Sequence, residues 1–195
     1  MTIIWGIDYG KKMSGNTVIC EKTGSTTNFY RAANDSDADA FILKMIDERA
    51  PETIFIDAPL SLPGALLNKE GLNNYFYRAC DQQLQAMSPM FLGGLTARAI
   101  QLKDIIQDKG IDIKETYPKA LAKKIGLKSC GYRQGNEYIA PCTVKIKETS
   151  LVKIENHSVI SWHHLDALLA LLSAVRYTNE LHITFGDKQE GLIYI

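Results

Sequence analysis

The sequence has no long apolar run, no net charge and no closely spaced cysteine pair, and each absence narrows the class of protein. Its longest apolar patch, residues 167–175, is too short to span a bilayer. A secretory signal has a basic stretch followed by an apolar one. The first residues of this sequence do not show that pattern. Internal repeats and low-complexity segments are also missing. We therefore expect a cytoplasmic protein with no membrane partner.

The cysteines are too widely separated to form the disulfide framework of a small secreted domain. They stand at Cys20, Cys80, Cys130 and Cys142. We expect reduced, structural thiols. One alternative stays open, although no Cys-x-x-Cys pair supports it: a zinc site built from Cys130 and Cys142 with His157, His163 or His164.

The composition is that of an ordinary folded protein. The chain has 195 residues, of which 46% are hydrophobic and 23% are charged, so we expect one domain over 1–195 that folds throughout. The zero net charge hides an asymmetry, because residues 114–153 hold nine Lys or Arg and only three acids. This basic segment could follow a phosphate backbone. A solvated surface is the simpler reading, so a nucleic-acid partner is permitted and not required.

Hydrophobic patterning predicts an α/β fold in which an antiparallel meander is followed by helices and parallel strands. The predicted strands are 2–8, 16–21, 26–31, 53–57 and 111–115, with a final hairpin or tail from 182–185 and 191–195. The predicted helices are one that follows the capping residues 34–36 and stops before Pro51, then 75–87, 96–108, 118–125 and 162–177. The least regular part, 128–159, is predicted as loop with a helix around 142–153.

Four acids stand at positions that could form one metal site. Asp8, Asp57 and Glu115 end strand-like runs, and open α/β sheets bind ligands at the carboxyl ends of their strands. Strand alternation places Gly6 on the same face as Asp8, which leaves room beside the carboxylate. Either aspartate could instead serve as a turn acceptor.

For the other two acids, a role that involves no metal ion explains the position less well. Glu115 follows Ile111 and Ile113 on one strand face, where a charge needs a partner or a metal; a nearby lysine is the alternative partner. Asp166 lies one turn into a helix, where the helix dipole favours an acid. Because Ala170 and Ala174 continue its line, that helix could approach the sheet closely. Crowded carboxylates call for a cation, and oxygen ligands favour Mg²⁺ or Mn²⁺.

The order of elements resembles the ribonuclease H-like fold, and more narrowly the uncharacterised family of predicted ribonuclease H-like nucleases. The resemblance rests on residues 6–10 (Gly-Ile-Asp-Tyr-Gly), 56–63 (Ile-Asp-Ala-Pro-Leu-Ser-Leu-Pro), 78–81 (Arg-Ala-Cys-Asp), 115–118 (Glu-Thr-Tyr-Pro) and 165–168 (Leu-Asp-Ala-Leu). It implies a mixed five-stranded sheet of order 3-2-1-4-5, flanked by helices, with a divalent-metal site at Asp8, Asp57, Glu115 and Asp166. Related nucleases commonly carry Glu on the fourth strand, so whether Asp57 or Glu115 completes the site stays open.

The leading hypothesis is a Mg²⁺- or Mn²⁺-dependent nuclease that hydrolyses phosphodiester bonds in structured DNA or RNA. Its phosphate-contacting candidates are Lys119, Lys123, Lys124 and Arg78. Arg78 could instead pair with Asp81 three residues later. Two alternatives remain: a non-catalytic scaffold that binds a nucleotide, nucleic acid or protein, and a small-molecule phosphohydrolase. The oligomeric state stays open, with a homodimer as one possibility.

Overall fold

The computed structural model describes residues 2–155 and 158–195, so His157 of the zinc alternative lies outside the described residues. The strands are β1 (Ile3–Asp8), β2 (Val18–Thr23), β3 (Thr26–Arg31), β4 (Thr53–Asp57), β5 (Asp112–Glu115), β6 (Thr184–Asp187) and β7 (Gly191–Tyr194). The helices are α1 (Ala38–Arg49), α2 (Ala79–Leu84), α3 (Pro89–Leu92), α4 (Gly94–Asp108), α5 (Pro118–Lys124), α6 (Ile139–Lys147) and α7 (Trp162–Thr178).

The strands form one mixed sheet of order β3-β2-β1-β4-β5-β7-β6. The first three strands make the predicted antiparallel meander, and β4 and β5 follow in parallel with β1. The predicted α/β class and the order of the first five strands are therefore confirmed. The sheet is wider than five strands, because the C-terminal hairpin joins its edge through a single bridge between Glu115 and Ile193.

Three helices differ from their predicted bounds for local reasons. Asp37 caps α1, and its Oδ1 accepts hydrogen bonds from the backbone of Asp39 and Ala40. The predicted helix 75–87 begins only at residue 79 and breaks at Gln85, whose backbone is left-handed (φ 52°). The helix predicted around 142–153 starts earlier, at residue 139. Its proline allows this, because it lies in the first turn, where a backbone N–H would have no partner within the helix.

The two faces of the sheet carry separate cores. Helices α1 and α4 cover the face that holds Trp5 and Ile7. The other face carries α7, whose residues from 164 to 175 are all buried. Gly6 permits this approach, because a Cβ at that position would lie 1.9 Å from the backbone nitrogen of Leu171. Within residues 2–155 and 158–195, no helix has the length and apolar character needed to cross a membrane.

Candidate functional site

Two of the predicted acids are neighbours across adjacent strands. Asp8 ends β1 and Asp57 ends β4, and the parallel register places them directly opposite each other. Residues in register on neighbouring strands face the same side of a sheet, so both carboxylates lie on the side that carries α7. Asp8 is buried and Asp57 is partly buried.

The third acid reaches the same place from α7. Ser161 caps this helix, accepting a hydrogen bond from the backbone of His164, and Asp166 follows just beyond the first turn, only 2% exposed. Burial and the charge of Asp8 raise its pKa to about 6, against the opposing effect of Arg133. The pKa of Asp57 lies well above its ordinary value because of burial and the nearby charges of Asp8 and Asp166. These three carboxylates, which we call the aspartate cluster, therefore interact electrostatically.

Protein donors contact two of the three carboxylates. His163 Nδ1 lies 2.7 Å from Asp8 Oδ2. The hydroxyl of Tyr132 donates to Asp166 Oδ1 at 2.6 Å, and the guanidinium of Arg133 donates to Asp166 Oδ2. In the described part of the chain, the Asp57 side chain makes no hydrogen bond or ion pair. Among the described residues, the cluster thus contains one carboxylate without a hydrogen-bonding partner beside two that have one.

Sequence reasoning did not assign His163, Tyr132 or Arg133 to this cluster. His163 precedes Asp166 by three residues, a spacing that places two side chains on one side of a helix. The sequence therefore could have indicated that His163 lies near Asp166. Tyr132 and Arg133 come from the irregular segment between α5 and α6. Only the tertiary path of that segment brings them to α7.

Glu115 does not join the aspartate cluster, because of strand register. It pairs with Ile56 on β4, and Ile56 and Asp57 point to opposite faces. Thr116 takes the place nearest Asp57, and its hydroxyl donates to Ser173 of α7 at 2.9 Å. The Glu115 carboxylate instead accepts hydrogen bonds from the Leu60 backbone at 2.9 Å and from Arg78. Burial raises its pKa, while Arg78 opposes the rise.

Arg78 is buried and fully occupied. Its Nη1 and Nη2 each donate to Glu115 at 2.7 Å, Nε and Nη2 donate to Asp81 at 3.0 and 2.7 Å, and Nη1 donates to Ser61 at 2.8 Å. These bonds use all five N–H donors of a guanidinium. The ion pair with Asp81, given above as the alternative to phosphate contact, is therefore present, and no donor of Arg78 is left for a phosphate.

The three candidate lysines do face solvent. Lys119, Lys123 and Lys124 are exposed on α5, whose Leu121 and Ala122 anchor it in the core beside α7. None of the three lysines has an ion pair or hydrogen bond within the described residues. Helix α5 begins two residues after β5, and burial together with the charge of Asp57 raises the pKa of Tyr117, which precedes that helix. The lysines therefore lie on an element that starts close to the aspartate cluster.

No group of three or more His, Cys, Asp or Glu side chains is arranged to hold a metal ion among the residues described. For the zinc alternative, His163 is bonded to Asp8 and His164 to Ser161, so neither turns to Cys130 and Cys142. For the aspartate cluster, Arg133 and Tyr132 bind Asp166 from one side. The donor chemistry nevertheless suits Mg²⁺ or Mn²⁺, because the cluster offers hard carboxylate oxygens. Burial and the charges of neighbouring carboxylates raise the pKa of Asp57 and Asp166.

The sheet order and its covering helices define a ribonuclease H-like α/β fold. No protein-family model and no curated protein matches the sequence. Among solved structures, the chain is similar to Thermus thermophilus RuvC in complex with a Holliday junction substrate, with 13% identity and a TM-score of 0.50, over 93% of this chain and 98% of that one. Thermus thermophilus RuvC in another structure gives 11% identity and a TM-score of 0.42, over 90% and 95%. The structural similarity to the first of these shows a shared fold.

Proposed function

We propose that this chain is a divalent-metal-dependent nuclease that hydrolyses phosphodiester bonds in structured DNA or RNA. The observation that carries the proposal is the convergence of Asp8 and Asp57, paired across two strand ends, with Asp166 of the helix packed against them. The fold shared with RuvC bound to a Holliday junction supports a structured DNA substrate. Exposed lysines on α5 supply a surface for phosphates.

Asp8, Asp57 and Asp166 would hold Mg²⁺ or Mn²⁺, with the imidazole of His163 beside Asp8. When bound, such an ion polarises a phosphoryl oxygen and lowers the pKa of water. The partner of Asp166 would have to change for this, because the Arg133 guanidinium donates to its carboxylate. Arg133 is about half exposed, so its guanidinium can leave the carboxylate and remain near the substrate phosphate. We leave Glu115 out of the proposed ligand set.

Glu115 and Arg78 have a supporting role in this proposal. Their ion pair lies under the loop that follows Asp57, and Glu115 accepts the backbone N–H of Leu60 in that loop. The pair therefore fixes how the chain turns away after the Asp57 carboxylate. A substitution at either residue acts on the nuclease through the position of Asp57.

A non-catalytic nucleic-acid-binding scaffold is the second candidate. It is favoured by one observation: Arg133 and Tyr132 already satisfy Asp166. If these contacts are permanent, the cluster needs no metal ion. The two candidates differ in whether the protein binds Mn²⁺ at the cluster at all.

The test combines metal binding with cleavage. The purified chain is titrated with Mn²⁺ by calorimetry and incubated with labelled four-way DNA junctions, duplex DNA and hairpin RNA. We expect saturable Mn²⁺ binding and cleavage of at least one substrate, with both lost in Asp8→Asn and Asp57→Asn. Asp104→Asn is the matched control, because Asp104 is an exposed aspartate of α4. Nucleic-acid binding without Mn²⁺ binding or cleavage would favour the scaffold.

A further inference from the structure

A cavity lies between the loop after β4, helix α4 and the C-terminal hairpin. Its volume is about 510 Å³, within the range of small-molecule sites. We call it the hairpin cleft. Its walls include Ser61, Lys103 and residues 188–192, and none of the three clustered aspartates lines it.

The charge that the hairpin cleft presents is positive. Lys69, Lys103 and Lys188 line it, as do Glu115 and Glu190. Both carboxylates are already bonded to the protein. Arg78 and the Leu60 backbone hold Glu115, while Glu190 accepts hydrogen bonds from the backbone of Gly64 at 2.8 Å and of Ala79 at 2.9 Å. An anion in the cleft therefore meets ammonium groups and no free carboxylate.

The lysines keep donors available for a ligand. Lys103 is 24% exposed and gives one hydrogen bond, to the carbonyl oxygen of Leu60 at 3.1 Å, and its ammonium also lies 3.6 Å from the exposed carboxylate of Asp104. An ammonium has three donors, so Lys103 keeps donors for a ligand that displaces the solvent-exposed Asp104 contact. Lys188 is exposed and makes no hydrogen bond or ion pair within residues 2–155 and 158–195. Lys114 also lines the cleft, but its ammonium pairs with Asp112 and lies over Tyr177. The ligand-binding charge is therefore that of Lys69, Lys103 and Lys188.

The rest of the lining is largely apolar. It includes Leu60, Ile113, Leu192 and Tyr194. A bare inorganic anion would leave this surface uncovered, whereas a phosphate ester with a flat organic group would cover it and pair with the lysines. The lining thus suits a ligand with an anionic end and an apolar body.

Hydrogen bonds hold the cleft in shape without a ligand. The hydroxyl of Ser61 donates to the carbonyl of Glu190 and accepts from Arg78 at 2.8 Å. Lys69 donates to the carbonyl of Gln189. Gly191 has φ 115°, and a Cβ there would lie 2.3 Å from Ser61 Oγ, so glycine lets the hairpin close on the loop. A preformed site loses less free energy on binding.

We propose that the hairpin cleft binds a small organic phosphate monoester, of the size and chemistry of a nucleoside monophosphate. The lysines contact the phosphate, and the ring system lies against the leucines and Tyr194. This proposal does not rest on the proposed nuclease function.

The experiment is calorimetric titration of the full chain with AMP, ribose 5-phosphate, inorganic phosphate and adenosine. We expect saturable binding of AMP, at least tenfold weaker binding of inorganic phosphate and of adenosine, and ribose 5-phosphate in between. Lys188→Met should weaken AMP binding about tenfold, and Lys103→Met should do the same. Lys44→Met, which removes an exposed lysine of α1, should leave it unchanged.

Three outcomes would overturn the proposal: no saturable binding of AMP, equal binding by Lys188→Met and the parent chain, or loss of AMP binding in Asp8→Asn. The last result would place the ligand at the aspartate cluster. Because Lys103 also bonds to the loop and pairs with Asp104, thermal melts accompany its variant. Lys188 has no hydrogen bond or ion pair to another described residue, so its variant keeps the test decisive. Retained AMP binding in Asp8→Asn separates this proposal from the nuclease proposal.

Discussion

The contact between Gly6 and α7 is the feature on which the aspartate cluster depends most directly. A Cβ on residue 6 would lie 1.9 Å from the nitrogen of Leu171 and 2.4 Å from the carbonyl oxygen of Ala167. Both atoms belong to the helix backbone, so no side-chain rotation relieves the clash. The first distance is about 1.5 Å short of the 3.4 Å at which ordinary contact begins. In Gly6→Ala, α7 must therefore move away from β1 by roughly that amount.

The expected loss in the free energy of unfolding is large for the addition of one methyl group. Overpacking a core costs about 1–3 kcal/mol, and we expect at least the upper end here, because a buried helix has to move as a unit. For a domain of this size, 3 kcal/mol lowers the Tm by roughly 6–12 °C. The same shift carries Asp166 away from Asp8, so the variant should also bind Mn²⁺ at least tenfold more weakly at temperatures where it is folded.

Urea unfolding followed by circular dichroism measures the first effect, and calorimetry below the transition measures the second. Gly94→Ala is the matched control. Nothing lies within 4 Å of a Cβ at residue 94 in α4, so this change should be neutral or stabilise by up to about 1 kcal/mol. A surface substitution with no structural effect changes the free energy of unfolding by at most about 0.5 kcal/mol. If the free energy of unfolding of Gly6→Ala lies within that margin of the parent value, the close approach of α7 is not what holds the cluster together.

The remaining predictions concern charged groups. Arg78→Met leaves Glu115 and Asp81 buried without their partner and should destabilise by about 3–5 kcal/mol in urea unfolding, whereas Lys44→Met, at an exposed pair, should cost at most about 0.5 kcal/mol; equal effects would contradict the network described here. Because burial and the charges of Asp8 and Asp166 raise the pKa of Asp57 in the folded protein, its carboxyl group holds more proton there than in the unfolded chain at pH values above the ordinary pKa of 3.8. Its contribution to stability therefore falls as the pH rises through this range towards the raised pKa. Asp57→Asn should therefore melt higher than the parent in metal-free buffer, by a margin that grows as the pH rises above 4, and a margin that shrinks would refute the raised pKa of Asp57. Arg133→Met removes the cation that competes for Asp166 and should tighten Mn²⁺ binding several-fold in calorimetry; weaker binding would mean that Arg133 helps to assemble the site.

Local patterns were sufficient for most of the architecture. Alternating and continuous apolar runs identified the first five strands, and the helix between β3 and β4 indicated the parallel crossover. The irregular parts were harder to predict, because their structure depends on single backbone conformations. Gln85 ends α2 in a left-handed conformation, which its residue type does not indicate. The single bridge from Glu115 to Ile193 joins segments that are far apart in the sequence, so local patterns do not indicate it either.

Local patterns in the sequence also indicated part of the aspartate cluster. Asp8 and Asp57 could be recognised from sequence because each ends an apolar strand, and the parallel order then brings their strand ends together. Asp166 and His163 share one side of a helix, a relation that three-residue spacing encodes. For these residues, local structure and strand order were enough to place the carboxylates at one edge of the sheet.

Only the tertiary structure decided on which face of the sheet Glu115 lies. The sequence places it at a strand end, as it does Asp57, but the β4–β5 register pairs it with Ile56 and turns it to the opposite face. A shift of one residue reverses the face of a side chain, and register is set by packing across the whole sheet. Arg133 reaches Asp166 in the same non-local way. The sequence by itself determined which carboxylates lie at the edge, and the folded chain determined which of them meet.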